Sequence, residues 1–153
     1  MAEELKVIVF KLGEEEYGVE VENVRTIERM MPLTRVPKTP KFVKGVINLR
    51  GVVVPVIDLR ERFGLAPSEP TNNTRLIIVA VGNIEVGLIV DSANDVVDLD
   101  ADKIADPPEV VGGIKAKYLR GVARIGDERL LVMLNLQEVL NKNEIIQLEA
   151  IEE

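Results

Sequence analysis

Leu12-Gly13-Glu14-Glu15-Glu16-Tyr17-Gly18-Val19-Glu20-Val21 and Val81-Gly82-Asn83-Ile84-Glu85-Val86-Gly87-Leu88-Ile89-Val90 read as two versions of one segment, 69 residues apart without a gap. Gly13 and Gly18, read as turn glycines, fall on Gly82 and Gly87; Glu16 falls on Glu85, and Val21 on Val90. The frame continues, with apolar Val24 and Ile27 on Ala93 and Val96. Further on, Lys44-Gly45-Val46-Ile47 matches Arg120-Gly121-Val122-Ala123, and Pro55-Val56-Ile57-Asp58-Leu59 matches Val132-Met133-Leu134-Asn135-Leu136. There the offset is 76 or 77, so the second copy carries seven or eight extra residues. A repeat this long is a whole folding unit copied once, because solenoid repeats are shorter and need several copies. The halves are 5–65 and 75–140, joined by 66–74, within one domain over 1–153.

Each half reads as β-rich. Leu5 to Leu12, the turn Gly13 to Glu16, and alternating Tyr17, Val19 and Val21 make a hairpin. Glu22 to Met31 fits a strand or a helical turn, and Pro32, Pro37 and Pro40 mark an irregular connection. Val43 to Leu49 and Val52 to Ile57 are strands about Arg50-Gly51, followed by a short helix over Asp58 to Leu65. The second copy repeats this with Arg75 to Val81, Ile84 to Val90, Gly121 to Ile125 and Leu130 to Leu134, the last two turning at Gly126-Asp127. Asp95 to Tyr118 reads as irregular, with a short helix near Ala101 to Ala105. Asn135 is placed to cap a helix from Leu136, with Glu138 at the capping-box position. A single sheet of four or five strands leaves an apolar face and two edges bare; curling into a barrel and packing on its twin covers both. The expectation is all-β with short helices: two small barrels about a shared core, plus a C-terminal helix.

At 153 residues and 46% hydrophobic, the chain is able to bury a real core, made aliphatic by 3 Phe, 2 Tyr and no Trp. No run approaches the ~18 apolar residues of a membrane span, and Met1-Ala2-Glu3-Glu4 is acidic where a signal peptide is basic. Zero cysteine removes disulfides and thiol chemistry; zero histidine removes the usual general base near neutral pH and the commonest transition-metal ligand. A net charge of −7 argues against nucleic acid. The charge is polarised, however. Residues 25–62 hold nine basic and three acidic residues, a segment of +6 that leaves −13 elsewhere. Such asymmetry either steers an acidic partner or merely keeps strand edges soluble.

Three motifs are decoys. Asp98, Asp100, Asp102, Asp106 and Glu109 fall at the acidic spacing of an EF-hand loop, but Lys103 stands where that loop needs glycine, and Pro108 precedes the last position. Gly112-Gly113 has no strand feeding a helix, so it cradles no phosphate. Asp58 and Glu61 share a turn with Arg60 and Arg62, which points to surface pairing rather than acid–base work. The segment from Lys44 to Arg60 is different. A plain hairpin would expose Arg50 at its turn, yet the second copy closes the same turn with Gly126, so Arg50 points to a job beyond structure.

The sequence resembles the CheW family of bacterial chemotaxis coupling proteins. The resemblance lies in Gly13 to Gly18, Thr39-Pro40…Phe42…Lys44-Gly45, Asn48-Leu49-Arg50-Gly51…Pro55-Val56-Ile57-Asp58-Leu59, Gly87…Val90-Asp91, Asp95-Val96 and Leu134-Asn135. It implies two SH3-like five-stranded barrels and a non-enzymatic adaptor without cofactor or metal. It further implies partners in chemoreceptor signalling tips and in the regulatory domain of the histidine kinase CheA, in the cytoplasm at membrane-associated receptor arrays, without membrane insertion. By analogy, Lys44, Gly45, Val53 and Pro55 are candidates for a kinase-facing surface, and Val24, Ile27, Glu28 and Arg50 for the receptor side. Some relatives carry an acid where Thr26 stands. On this reading Val24→Asp weakens partner binding more than stability. The alternatives are the CheW-like unit of a CheV-type protein, disfavoured because no receiver domain is visible, and a small-ligand or carboxylate-hydrolase barrel, which would show a deep acid-lined pocket.

Overall fold

A computed structural model describes residues 3–108, 110–111, 114–126 and 128–152. In chain order the elements are β1 (Glu4–Leu12), β2 (Glu15–Glu20), β3 (Val24–Arg29), β4 (Val43–Leu49), β5 (Val52–Asp58), α1 (Leu59–Arg62), β6 (Arg75–Val81), β7 (Ile84–Val90), β8 (Ser92–Asp100), β9 (Ile104–Ala105), β10 (Val110–Val111), β11 (Ile114–Lys115), β12 (Leu119–Ile125), β13 (Arg129–Leu134), α2 (Leu136–Val139) and α3 (Lys142–Glu152). They form two SH3-like barrels. One sheet runs β8-β1-β2-β13-β12-β9, the other β3-β6-β7-β5-β4.

Neither barrel is one half of the chain, and here the expectation that each half curls up separately is corrected. The first barrel takes its opening hairpin, β1–β2, from the front and its remaining strands from the back; the second does the reverse. Short connections force this exchange. Strand β3 is antiparallel to β6, which is antiparallel to β7, so β3 runs parallel to β7. Had β3 joined its own hairpin in the same order, it would run the same way as β2, and a chain entering a second strand in the same direction must first travel back the strand's length, a crossover of a dozen residues or more. Only Val21–Asn23 lies between β2 and β3, and only Asp91 between β7 and β8. The chain therefore runs straight on into the other barrel.

The two assemblies share their registers. Leu12 faces Glu15 as Val81 faces Ile84, both at the 69-residue offset, around Gly13 and Gly82, which have φ of 65° and 59°. The parallel pairs Met133–Gly18 and Val56–Gly87 correspond, as do the bulges at Leu119/Gly121 and Val43/Gly45. Gly18 and Gly87 lie within strands, not turns. A Cβ on Gly18 would sit 2.6 Å from Val7 Cγ1, so the residue is small because the barrel interior is full there.

Alternation along each strand sorts side chains into three clusters. Val7, Val9, Leu131 and Met133 fill the first barrel; Val54, Val56, Leu76 and Ile78 fill the second. Their opposite faces, including Ile8, Phe10, Ile57, Ile77, Val79, Val132 and Leu134, meet in a larger cluster between the barrels. Phe10 and Tyr17 stack there at 5.7 Å, and burial pushes the Tyr17 phenol up to about 12. Strand β8 was hidden in the segment read as irregular. It pairs with β1 across the chain, Leu99 buried against Leu5 while Asp95 and Asp98 face out. The EF-hand spacing dissolves in it: Asp98 pairs with Lys6 at 3.6 Å, and Asp100 accepts from the Asp102 amide at 2.9 Å. Among the described residues no three metal-ligating side chains cluster. Glu109, Gly112-Gly113 and Asp127 lie outside the described residues.

The helix at Leu136 forms, but the Asn135 side chain does not cap it. A capping box appears one helix later: Asn141 Oδ1 accepts from the Glu144 amide, and Glu144 Oε1 from the Asn141 amide, both at 2.8 Å, opening α3. Asp91, the single residue between β7 and β8, braces the barrel junction. It accepts from Arg60 Nε at 3.0 Å and from the Gly13 amide at 2.6 Å. Burial works to raise its carboxyl; the Arg60 hydrogen bonds, the Gly13 amide and the Arg60 charge outweigh it and hold the group below its ordinary value. A depressed carboxylate contributes stability that is complete above its unfolded value and fades as pH falls through the folded one. Asp91→Asn is therefore expected to be less stable than the parent at neutral pH, with the gap narrowing below about pH 4. Urea midpoints measured across that range check it, and a gap constant with pH refutes it.

Candidate partner-binding surfaces

The β4–β5 hairpin closes on two residues, Arg50 and Gly51, both with positive φ (53° and 86°). Such a turn matches the right-handed twist of its strands and prefers Asn-Gly, Asp-Gly or Gly-Gly, so arginine is held there at a cost. Its side chain is 70% exposed and extends toward Glu28 of β3, Nη2 to Oε2 3.7 Å, while Glu28 is only 20% exposed. Two residues singled out in the sequence, 22 positions apart, are thus joined across the two edge strands of the second barrel. On the other face of β3, Ile27 meets solvent at 41% exposure, because the strand alternates Val24, Thr26 and Glu28 inward with Arg25, Ile27 and Arg29 outward. Sequence reasoning missed Val52, half exposed next to the turn. Alternation gave no signal for it, because Val52 shares a face with buried Val54 and Val56 and is exposed only as the first residue of β5.

The other candidates lie elsewhere. Lys44 and Gly45 sit at the far end of β4, about 17–20 Å along the strand from Arg50 at ~3.3 Å per residue. Lys44 pairs with Glu61 of α1. Gly45 is buried, and a Cβ there would lie 2.4 Å from the Thr34 carbonyl oxygen, whose backbone bridges to Val46. Pro55 is buried in the ladder, and Val53 is half buried. Val24 is half buried against the central cluster, so an aspartate there strikes packing as well as any interface. The carboxylates Asp58 and Glu61 are both engaged, Asp58 capping α1 through the Arg60 and Glu61 amides and Glu61 pairing with Lys44.

The first barrel presents a counterpart. Val96 stands where Ile27 does at the 69-residue offset, and Leu130 where Val53 does at 77; they are 59% and 58% exposed. Arg129 crosses between strands there, bonding Glu16 at 3.0 and 2.6 Å, with Asp95 at 3.8 Å. Among the described residues, no helix is long and apolar enough to cross a membrane.

Twin barrels whose ends hold exposed aliphatic side chains beside bridging arginines define a protein-interaction module. The CheW-like domain family matches residues 6–144, and the chain belongs to that family. It is 43% identical over 137 residues to Chemotaxis protein CheW of Bacillus subtilis, covering 90% of this chain and 87% of the relative. Against Chemotaxis protein CheW of Klebsiella aerogenes the figures are 38% over 138 residues, 90% and 82%. The crystal structure of scaffolding protein TtCheW from Thermoanaerobacter tengcongensis superposes with a TM-score of 0.84 at 34% identity, covering 93% of this chain and 91% of that one.

Proposed function

We propose that this chain is a chemotaxis coupling adaptor, which holds chemoreceptor signalling tips and the regulatory domain of the kinase CheA together and performs no chemistry of its own. The observation that carries this is Arg50, kept at a turn glycine fills more easily and reaching Glu28, on a barrel that exposes Val52 next to the turn and Ile27 on the outer face of β3. The counterpart at Val96 and Leu130 offers a second end surface, which a bridging protein needs. Relatives named Chemotaxis protein CheW and a neighbour described as a scaffolding protein support the same reading. The site of action is the cytoplasm at receptor arrays. Lys44 and Val53 belong to the surface offered to the kinase, with Gly45 and Pro55 shaping the strands beneath it; Val24 supports the receptor side from within.

Ile27→Asp tests the proposal. A solvent-facing substitution leaves stability within about 0.5 kcal/mol, while a charge at the centre of an aliphatic contact weakens docking by tenfold or more, ~1.4 kcal/mol. Titration calorimetry against the CheA regulatory domain, with receptor pull-down in parallel, reads both arms. Undiminished binding in both overturns the assignment of this surface.

A further inference from the structure

The excess of positive charge in residues 25–62 is not evenly consumed. Arg25, Lys44, Arg50, Arg60 and Arg62 each meet a carboxylate, whereas Arg29, Arg35, Lys38 and Lys41 have no ion pair among the described residues. Three of those four, Arg35, Lys38 and Lys41, line one open groove of about 870 Å³, whose two carboxylates are already engaged, Glu61 by Lys44 and Asp58 by the α1 amides. The groove lies between the β3–β4 connection, α1 and the 67–70 linker. Its floor is apolar: Met30, Leu33 and Ile89 are half-buried side chains packed on the second barrel's core. Its rims carry Pro37 and Pro40 on one side and Pro67 and Pro70 on the other. Prolines fix φ, and the bridge between Thr34 and Val46 pins the connection to β4 at 2.8 and 2.9 Å, so the groove is held open with little entropy left to lose on binding. Lys38 is held at φ 63° by the turn after Pro37, a conformation rarely adopted by a lysine.

We infer that this groove binds an extended acidic peptide segment that also offers an apolar side chain, supplied by a partner protein. Free cations above an apolar floor recognise that combination, carboxylates at the rim and an aliphatic group below. A membrane surface or a nucleic acid fits less well. Both present broad polyanionic surfaces to a chain whose remainder carries −13, and neither supplies an aliphatic side chain narrow enough for a cleft between two proline-lined walls. The groove meets the proposed kinase-facing surface only at Lys44, and neither Arg50 nor Ile27 lines it, so the peptide test and the Ile27→Asp test can fail independently.

The test is fluorescence anisotropy with a labelled octapeptide of alternating glutamate and leucine, set against its lysine–leucine counterpart, phosphatidylglycerol vesicles and a poly-dT oligonucleotide. The acidic peptide is expected to bind saturably and to weaken about tenfold when salt rises from about 50 to about 300 mM, as screening demands. Lys38→Glu with Lys41→Glu, both exposed, is expected to weaken it at least tenfold. Lys103→Glu with Lys115→Glu, an equal charge change at residues that do not line the groove, leaves it within twofold. No saturable binding of the acidic peptide, equal loss in the two double variants, or binding of vesicles or oligonucleotide in its place each overturns the inference.

Discussion

Arg50→Gly is expected to raise the melting temperature while lowering kinase activation in a reconstituted receptor complex. A non-glycine residue in the left-handed region costs about 1–2 kcal/mol, and glycine returns roughly 0.5–1 of that through the extra freedom of the unfolded chain. The exposed pair with Glu28, at 3.7 Å, adds little on the other side. The net gain of about 0.5–1 kcal/mol is about 1–4 °C for a chain of this length. Against it stands a guanidinium that projects 70% exposed from the turn, where a partner can accept from it. A charge-assisted hydrogen bond at an interface is worth about 1.5–3 kcal/mol, so activation at limiting adaptor falls at least about tenfold. Opposite signs separate a functional residue from a structural one. A variant that is more stable and fully active removes Arg50 from the site.

Arg62→Ala carries the largest expected loss of stability. The side chain is 13% exposed and donates from Nε to the Val139 carbonyl at 2.7 Å, and from both terminal nitrogens to Glu144 at 2.9 Å. Its guanidinium lies 4.5 Å from the Phe42 ring centroid and 5.2 Å from that of Tyr118. Those contacts tie α1 to α2 and to the first turn of α3. Truncation leaves the Glu144 carboxylate, itself only 14% exposed, without its counter-charge and with only the Asn141 amide as donor, and breaking such a buried pair costs about 3–5 kcal/mol. Thermal unfolding is expected to fall by about 10 °C, at ~2–4 °C per kcal/mol, with faster amide exchange along α3. Arg62→Met combined with Glu144→Leu removes both charges and is expected to recover part of the loss, because desolvation offsets much of a buried pair's attraction, short of the capping bond from the Asn141 amide. A single variant that unfolds within 2 °C of the parent shows that α3 does not depend on this clamp.

Local chemistry was readable. The alternating apolar residues of β1, β2, β6 and β7, the positive-φ glycines at 13 and 82, and the breaks at Pro67 and Pro70 all announce themselves within a few residues. Strand β8 was not readable, because Asp95, Asp98 and Asp100 look like a loop until β1, some 90 positions earlier, supplies the ladder. The site was half legible. Glycine at 126 exposed the oddity of Arg50, but nothing local says that Glu28 is its partner or that Lys44 lies at the other end of its strand.

What the sequence determined by itself is the unit and its repetition: periodicity two, turn residues and a constant offset are properties of neighbouring residues, and they define the hairpins and their registers. Which hairpin completes which barrel was settled by tertiary structure. Both hairpins carry the same pattern and could pair with either set of partners, so composition does not choose between them. The choice belongs to chain geometry, since three residues after β2 and one after β7 are too short to turn back. That crossing, in turn, sets Arg129 of the back half against Glu16 of the front half.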